Sequence, residues 1–239
     1  FDVVFAEPST EAEDAALDSA IAQAGPVVLA ATREKIDSSN AALWLDVLPL
    51  QRFLDAGADA GDAGVEPDDD FVVRRAPVAR ESFALRLAQR AAEARGQQRP
   101  ALRHFDWIGY RGARGTFDTR SYYQALEPGL LPAGFFKNKI VLVGRSARTA
   151  TELTRRQADL FNSPFGTAGG ERLFPGVELQ ATLVDNYLMG GGLRSVHEGW
   201  TLALVLLVLP VLLWGNRRLP LAGAAALAAA LVVAIALGS

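Results

Sequence analysis

"FPGVELQATLVDNYLMGGG" runs from Phe174 to Gly192, and shortly afterwards the chain reads "WTLALVLLVLPVLLWG" from Trp200 to Gly215. The first stretch has the pattern of a helix in a water-soluble domain. Pro175 suits a first helical turn. Val177, Ala181, Val184 and Leu188 share one face at spacings of four, three and four, while Glu178, Asp185 and Asn186 fall elsewhere. Gly190 stands where a helix ends. The second stretch is apolar apart from Thr201 and has the character of a membrane span. Between them, the glycines read as a turn that decouples the helix from the span, so that an outer domain sits on the bilayer at its own angle.

Toward the C-terminus, Trp200 to Trp214 covers roughly 22 Å, short of a bilayer core of about 30 Å, so the span is expected to extend back toward Val196. Trp200 and Trp214 bracket it as interfacial anchors, and Pro210 is placed to kink it. Leu219 to Leu237 is uncharged and long enough to return. The tight turn "GNRRLP" between them carries Arg217 and Arg218, and short arginine-bearing loops stay in the cytoplasm. The expected organisation is an extracytoplasmic domain over 1–195, a span over 196–214, a cytoplasmic loop over 215–218 and a second span over 219–239. That places the chain in a cell's inner membrane, with 1–195 on the periplasmic or extracellular side. Ala222, Ala226, Ala230 and Ala234 form a small-residue ridge expected to face another membrane helix; the alternative is an alanine-rich helix that is small on every face, given Ala224, Ala225, Ala228 and Ala229. The competing reading, a hairpin buried in a large soluble protein, is disfavoured because nothing in 239 residues is big enough to bury it.

Composition narrows the function classes. The chain has no cysteine, which excludes disulfides and thiolate metal sites. Its formal net charge is −3, with no basic stripe interleaved with aromatics, so nucleic acid is not an expected partner. It begins at Phe1 rather than methionine, without a visible signal peptide, and a segment upstream is expected.

The outer region reads as an α/β domain. "DVVFA" at Asp2 to Ala6 suits a buried strand. "TEAE" at Thr10 to Glu13 has capping-box spacing, and Gly25 closes the helix that follows. "PVVLAAT" from Pro26 is a second strand, completing a βαβ unit. Leu48 to Ala58 reads as a helix, "GDAGVEPDDDFVVRRAPV" as a turn between strands with the aspartates at its tip, and Ser82 to Ala94 as a helix. "HFDWIGY" is a candidate strand, "SYYQAL" a short helix, and "NKIVLVG" at Asn138 to Gly144 the strongest strand. The fold class is therefore a mixed or mostly parallel sheet flanked by helices, followed by a transmembrane hairpin.

Candidate chemistry is sparse. Histidine occurs only at His104 and His197, so no Ser/His/Asp set can be assembled. Asp68 and Asp70 are weak candidates for a cation, without the spacing of a calcium loop; a turn capping its own amides is the simpler reading. Arg74 and Arg75 are adjacent in a strand and point to opposite faces. "VGRSARTA" lacks phosphate-loop spacing, yet loops at the carboxyl ends of parallel strands are where α/β domains bind ligands. Gly144, Arg145, Ser146 and Arg148 are thus a candidate ligand rim, with no cofactor indicated.

Taken in order, these pieces resemble the second type of CHASE domain, a sensory extracellular module associated with cyclases and histidine kinases. "FKNKIVLVG" at Phe136 to Gly144 is similar to its strand, and "ADLFNSPFG" at Ala158 to Gly166 to its Asp…TP(F/L)G segment, which adds Asp159 to the rim. "PGVELQATLVDNYL" at Pro175 to Leu188 is similar to its PGVEIHAN helix, singling out Pro175, Gly176 and Glu178 as structural residues. "EPDDDFVVRRAP" resembles its DxDGxVRR hairpin, which singles out Arg74. Gln180 stands where that family has histidine, Thr182 where it has asparagine, Phe71 where it has the turn glycine, Ser163 where it has threonine, and Arg145 at a position usually small. The resemblance implies an upstream membrane helix, further helices after the sensory domain, and a cytoplasmic cyclase or kinase effector. The reading is a sensory domain of a bacterial membrane signalling protein, partnered by lipid and other transmembrane helices in a homo-oligomer or larger complex. The alternative is a non-enzymatic scaffold subunit of a membrane complex.

Overall fold

The computed structural model describes residues 1–38, 41–77, 81–97, 105–146, 159–162, 164–165 and 173–195, with isolated positions 199, 208, 210, 211, 214 and 223 beyond them. The chain divides into two units, Phe1–Arg194 and Ser195–Ser239. Among the described residues no helix is long and apolar enough to cross a membrane. The two expected spans, their arginine loop and the alanine ridge lie, but for those isolated positions, outside the described residues.

Helix α1 (Glu11–Ala24) starts where its cap dictates. The Thr10 hydroxyl accepts from the Glu13 amide, and the Glu13 carboxylate accepts from the Thr10 amide. Gly25, at φ +91°, ends it. The chain then enters β1 (Val28–Ser38), which turns back into β2 (Ala41–Val47) as an antiparallel hairpin and pairs in parallel with β3 (Asp59–Asp62). The first residues lie on the free side of β1. Phe1 donates to the Val28 carbonyl, Ala30 donates to that of Phe1, and Asp2 donates at 2.8 Å to that of Val143, beside a parallel Asp2–Gly144 bridge. The sheet is mixed, and its parallel part runs 143–144, 1–2, β1, β3.

Strand alternation sorts β1 into two cores. Leu29 packs with Ile21 of α1, Ala58 and Phe53 of α2 (Gln51–Asp55). Val28 and Ala30 pack the other way, with Phe83 of α3 (Phe83–Ala94) and Leu142. Outside α3 lies α5 (Gly176–Met189). Ala84, Leu85 and Ala88 meet Leu179, Leu183, Val184 and Tyr187, closed by Val73, Phe105, Ile108 and Phe174. Helix α4 (Tyr122–Leu126) sits in an exposed excursion, with Tyr122, Tyr123 and Leu126 facing solvent. A short antiparallel pair, β4 (Leu160–Asn162) and β5 (Leu173–Pro175), leads into α5.

Several expectations change. The strands foreseen at Asp2–Ala6 and Asn138–Gly144 reduce to the single Asp2–Gly144 bridge, because the second segment has a partner only at its end and leaves Val141 exposed; β-branched composition does not make a strand without a neighbour. "HFDWIGY" likewise contributes bridges only at Trp107, and His104 lies outside the described residues. The helix foreseen at Leu48–Ala58 shrinks to α2, because Leu50 keeps an extended ψ of 136° and Gly57 takes φ +109°. Of the expected face only Val184 is buried, with Val177, Ala181 and Leu188 half-buried; the buried apolar residues of α5 are Leu179, Leu183, Val184 and Tyr187, and Glu178 and Asn186, expected elsewhere, are buried as well.

Candidate functional site

Both ends of α5 are built from close backbone approaches. At its start, Pro175 is the N-cap, and Gly176 donates to the Asp159 carbonyl at 2.9 Å. A Cβ on Gly176 would collide with the Asp159 carboxylate, so only glycine lets that side chain lie over the first turn. Gly144 is similarly confined: a Cβ there would stand 2.8 Å from Val177 Cβ and 3.1 Å from Asp2 Cβ. Glu178 accepts from the Gly115 amide at 2.9 Å, and Arg114 reaches both the Leu173 carbonyl and the Ser146 hydroxyl. The structure therefore gathers Gly144, Ser146, Asp159, Gly176 and Glu178 around the head of α5. Arg145 is exposed, yet near enough to act electrostatically on Asp159. Arg148 lies outside the described residues. Asp2, Arg114 and Gly115 belong to the same rim and were not foreseen; the signal for Asp2 was a charge inside an apolar run.

Two carboxyls of the rim, Asp2 and Asp159, are poorly solvated. Asp2 Oδ2 is buried without a hydrogen-bond partner among the described residues. Burial raises the Asp2 carboxyl above its usual range. Burial, and then the charge of Asp2, push Asp159 up to about 6, with Arg145 opposing.

At the other end, Gly190 takes the left-handed C-cap conformation at φ +72°. The glycines after α5 are not a loose joint. A Cβ on Gly109 would collide with the Gly191 carbonyl, and one on Gly192 with the ring of Phe105. Leu193 exchanges backbone hydrogen bonds with Trp107 at 2.9 and 3.0 Å, and Asn186 clamps Gly109, accepting from its amide at 2.8 Å and donating to its carbonyl at 2.9 Å. The three glycines dock the exit of α5 against 105–109; the expected decoupling from a membrane span concerns residues outside the described ones. These glycines are there for contact, not freedom.

The acidic turn has its own cation. The Arg74 guanidinium sits between Asp68, at 2.9 Å, and Asp70, at 2.8 and 2.7 Å, and holds the Asp70 carboxyl down at about 2. Phe71, in the family's glycine position, adopts φ +62° to make this turn. Arg75 stands over the Trp107 ring at 5.9 Å. Gln180, in the family's histidine position, donates to the Ala63 carbonyl at 2.9 Å, tying α5 to the end of β3.

The family model of the CHASE2 domain matches residues 1–215. The chain belongs to the CHASE2 family. CHASE2 domains are sensory extracellular modules of signalling proteins, which supports a sensory role for this segment. No curated protein and no solved structure matches the chain. In this CHASE2 domain, the Asp…TP(F/L)G and PGVE segments meet at the Asp159–Gly176 contact and, beside it, where Leu160 pairs with Pro175.

That contact predicts a pH dependence. The folded-state pKa of Asp159 lies above its unfolded value, so the folded form holds the proton more tightly. The stability gained is full at acid pH, below the unfolded value, and is lost as pH rises through about 6. Asp159→Asn should therefore melt higher than the wild type at pH 7 and show no such advantage at pH 4. The difference should be on the order of 1–2 kcal/mol after allowance for solvent screening. Equal advantages at both pH values would mean that the carboxyl is not the group concerned.

Proposed function

We propose that this CHASE2 chain is the extracytoplasmic sensory part of a bacterial, inner-membrane-anchored signalling protein whose cyclase or kinase effector lies outside these residues. Its cue binds at the rim formed by Gly144, Arg145, Ser146, Arg148 and Asp159. The observation that carries the reading is that one helix of 14 residues, α5, holds Gly144, Ser146 and Asp159 at its head and is clamped to 105–109 at its tail, directly before residue 195. A ligand that favours one seating of the Asp159–Gly176 contact biases the seating of the whole helix, and only such differential affinity can shift a two-state equilibrium. The run of the family match to residue 215, past the apolar stretch from Trp200, supports membrane anchoring.

The absence of native cysteine makes the orientation testable. Cysteine placed at Glu66, which is exposed in the first unit, should react in intact cells with a membrane-impermeant maleimide. Cysteine at Asn216, beside Arg217 and Arg218, should react only after lysis. Labelling of Asn216→Cys and protection of Glu66→Cys in intact cells would invert the proposed topology.

A further inference from the structure

The β1–β2 hairpin outruns the sheet that carries it. β3 covers β1 only from Val28 to Ala31, whereas β2 pairs with it from Thr32 to Ser38. Beyond Thr32 the ribbon has, among the described residues, no third strand. Both faces carry exposed apolar side chains: Leu43, Trp44 and Leu45, successive residues pointing alternately to opposite faces, are 61%, 52% and 49% exposed, and Leu48 is 56% exposed. A two-stranded ribbon with bare apolar faces is marginal in water. Its two edges differ. The β1 stretch Arg33–Ser38 carries Arg33, Glu34, Lys35 and Asp37, the charges that keep other strands away, while β2 carries only Asp46, and that is engaged by Arg33 at 2.9 Å.

We infer that the β2 edge is a dimer interface, where a second copy of this chain adds its own β2 antiparallel about a two-fold axis through Trp44. Trp44 is the midpoint of Ala41–Val47, so this register alone pairs the whole strand with itself. It sets Ala41 opposite Val47, Ala42 opposite Asp46, Leu43 opposite Leu45, and Trp44 opposite Trp44 of the second copy. No like charges meet, and Leu43 and Leu45 of both copies form one apolar row on one face. On the other face Trp44, with Arg33 stacked at 5.8 Å, meets its counterpart. Such a surface is isologous and self-complementary. A lipid surface fits less well, because the end of β1 that would have to enter it reads Asp37-Ser38. The inference rests on the strand edge alone and stands whether or not the α5 rim binds a cue.

Full-length chains bearing Leu43→Cys or Leu45→Cys, in a background without other cysteines, provide the test. Under mild oxidation each variant alone should form little disulfide dimer, because like positions lie two residues out of register, beyond the ~7 Å reach of a disulfide. An equal mixture of the two should cross-link several-fold faster. In sedimentation the wild type should be dimeric, and Leu45→Lys, at an exposed position, should be monomeric with the wild type's circular dichroism and a melting temperature that no longer rises with concentration. A monomeric wild type, a Leu45→Lys dimer as stable as the wild type, or a mixture that cross-links no faster than the single variants would overturn the inference. So would a monomer whose tryptophan emission shifts blue on adding lipid vesicles through burial of Trp44, since the occupant would then be the membrane.

Discussion

Val184→Asp is expected to destabilise the α/β unit by about 3–5 kcal/mol, the cost of an unpaired charge in a packed interior. Val184 is 4% exposed and lies in the cluster joining α3 and α5, among Ala84, Leu85, Ala88, Leu183 and Tyr187. A urea titration of the whole chain followed by circular dichroism would register the loss as a lower midpoint. An unchanged midpoint would mean that residue 184 faces water and that α5 is rotated from the orientation described.

Asn186→Ala should cost about 2–4 kcal/mol, although it removes a polar side chain from the interior. Asn186 is 1% exposed and satisfies both the amide and the carbonyl of Gly109. Alanine leaves both of these half-buried groups without their partner, and an orphaned buried group costs about 1–3 kcal/mol. The loss should be local as well as global. Amide exchange at Gly109 and Leu193 should accelerate more than at Leu29 in the sheet. Uniform acceleration would show that the clamp contributes stability but does not hold the exit of α5 in place.

The helices were legible because their signals are local. Thr10 with Glu13, and Gly25, mark the ends of α1, Ser82 the start of α3, Ser121 that of α4, and Pro175 with Gly190 the ends of α5. Strands depend on neighbours that a sequence does not display. Asn138–Gly144 has the right composition but one bridged residue, whereas β2 was not foreseen at all. The buried polar residues of α5 were illegible for a related reason. Periodicity assigns Glu178 and Asn186 to water, but each finds a backbone partner across the fold, Gly115 or Gly109. A glycine run shows only the missing side chain. Whether the space is used for motion or for close packing, as at Gly192 against Phe105, depends on what lies opposite. The strand-end rule found Gly144 to Ser146, and the family resemblance added Asp159. Asp2, Arg114 and Gly115 entered the rim only through the fold.

The central claim is that α5 carries the state of the rim at Asp159 to the clamped exit at Gly109 and Leu193. Amide-exchange protection at Leu193, compared between wild type and Asp159→Asn at matched pH, tests it directly. The two proteins should agree at pH 4, where the wild-type carboxyl is protonated, and diverge at pH 7, where it is charged. Identical Leu193 protection at pH 7, in samples whose melting temperatures differ, would contradict the account: the rim would titrate and the exit would not respond.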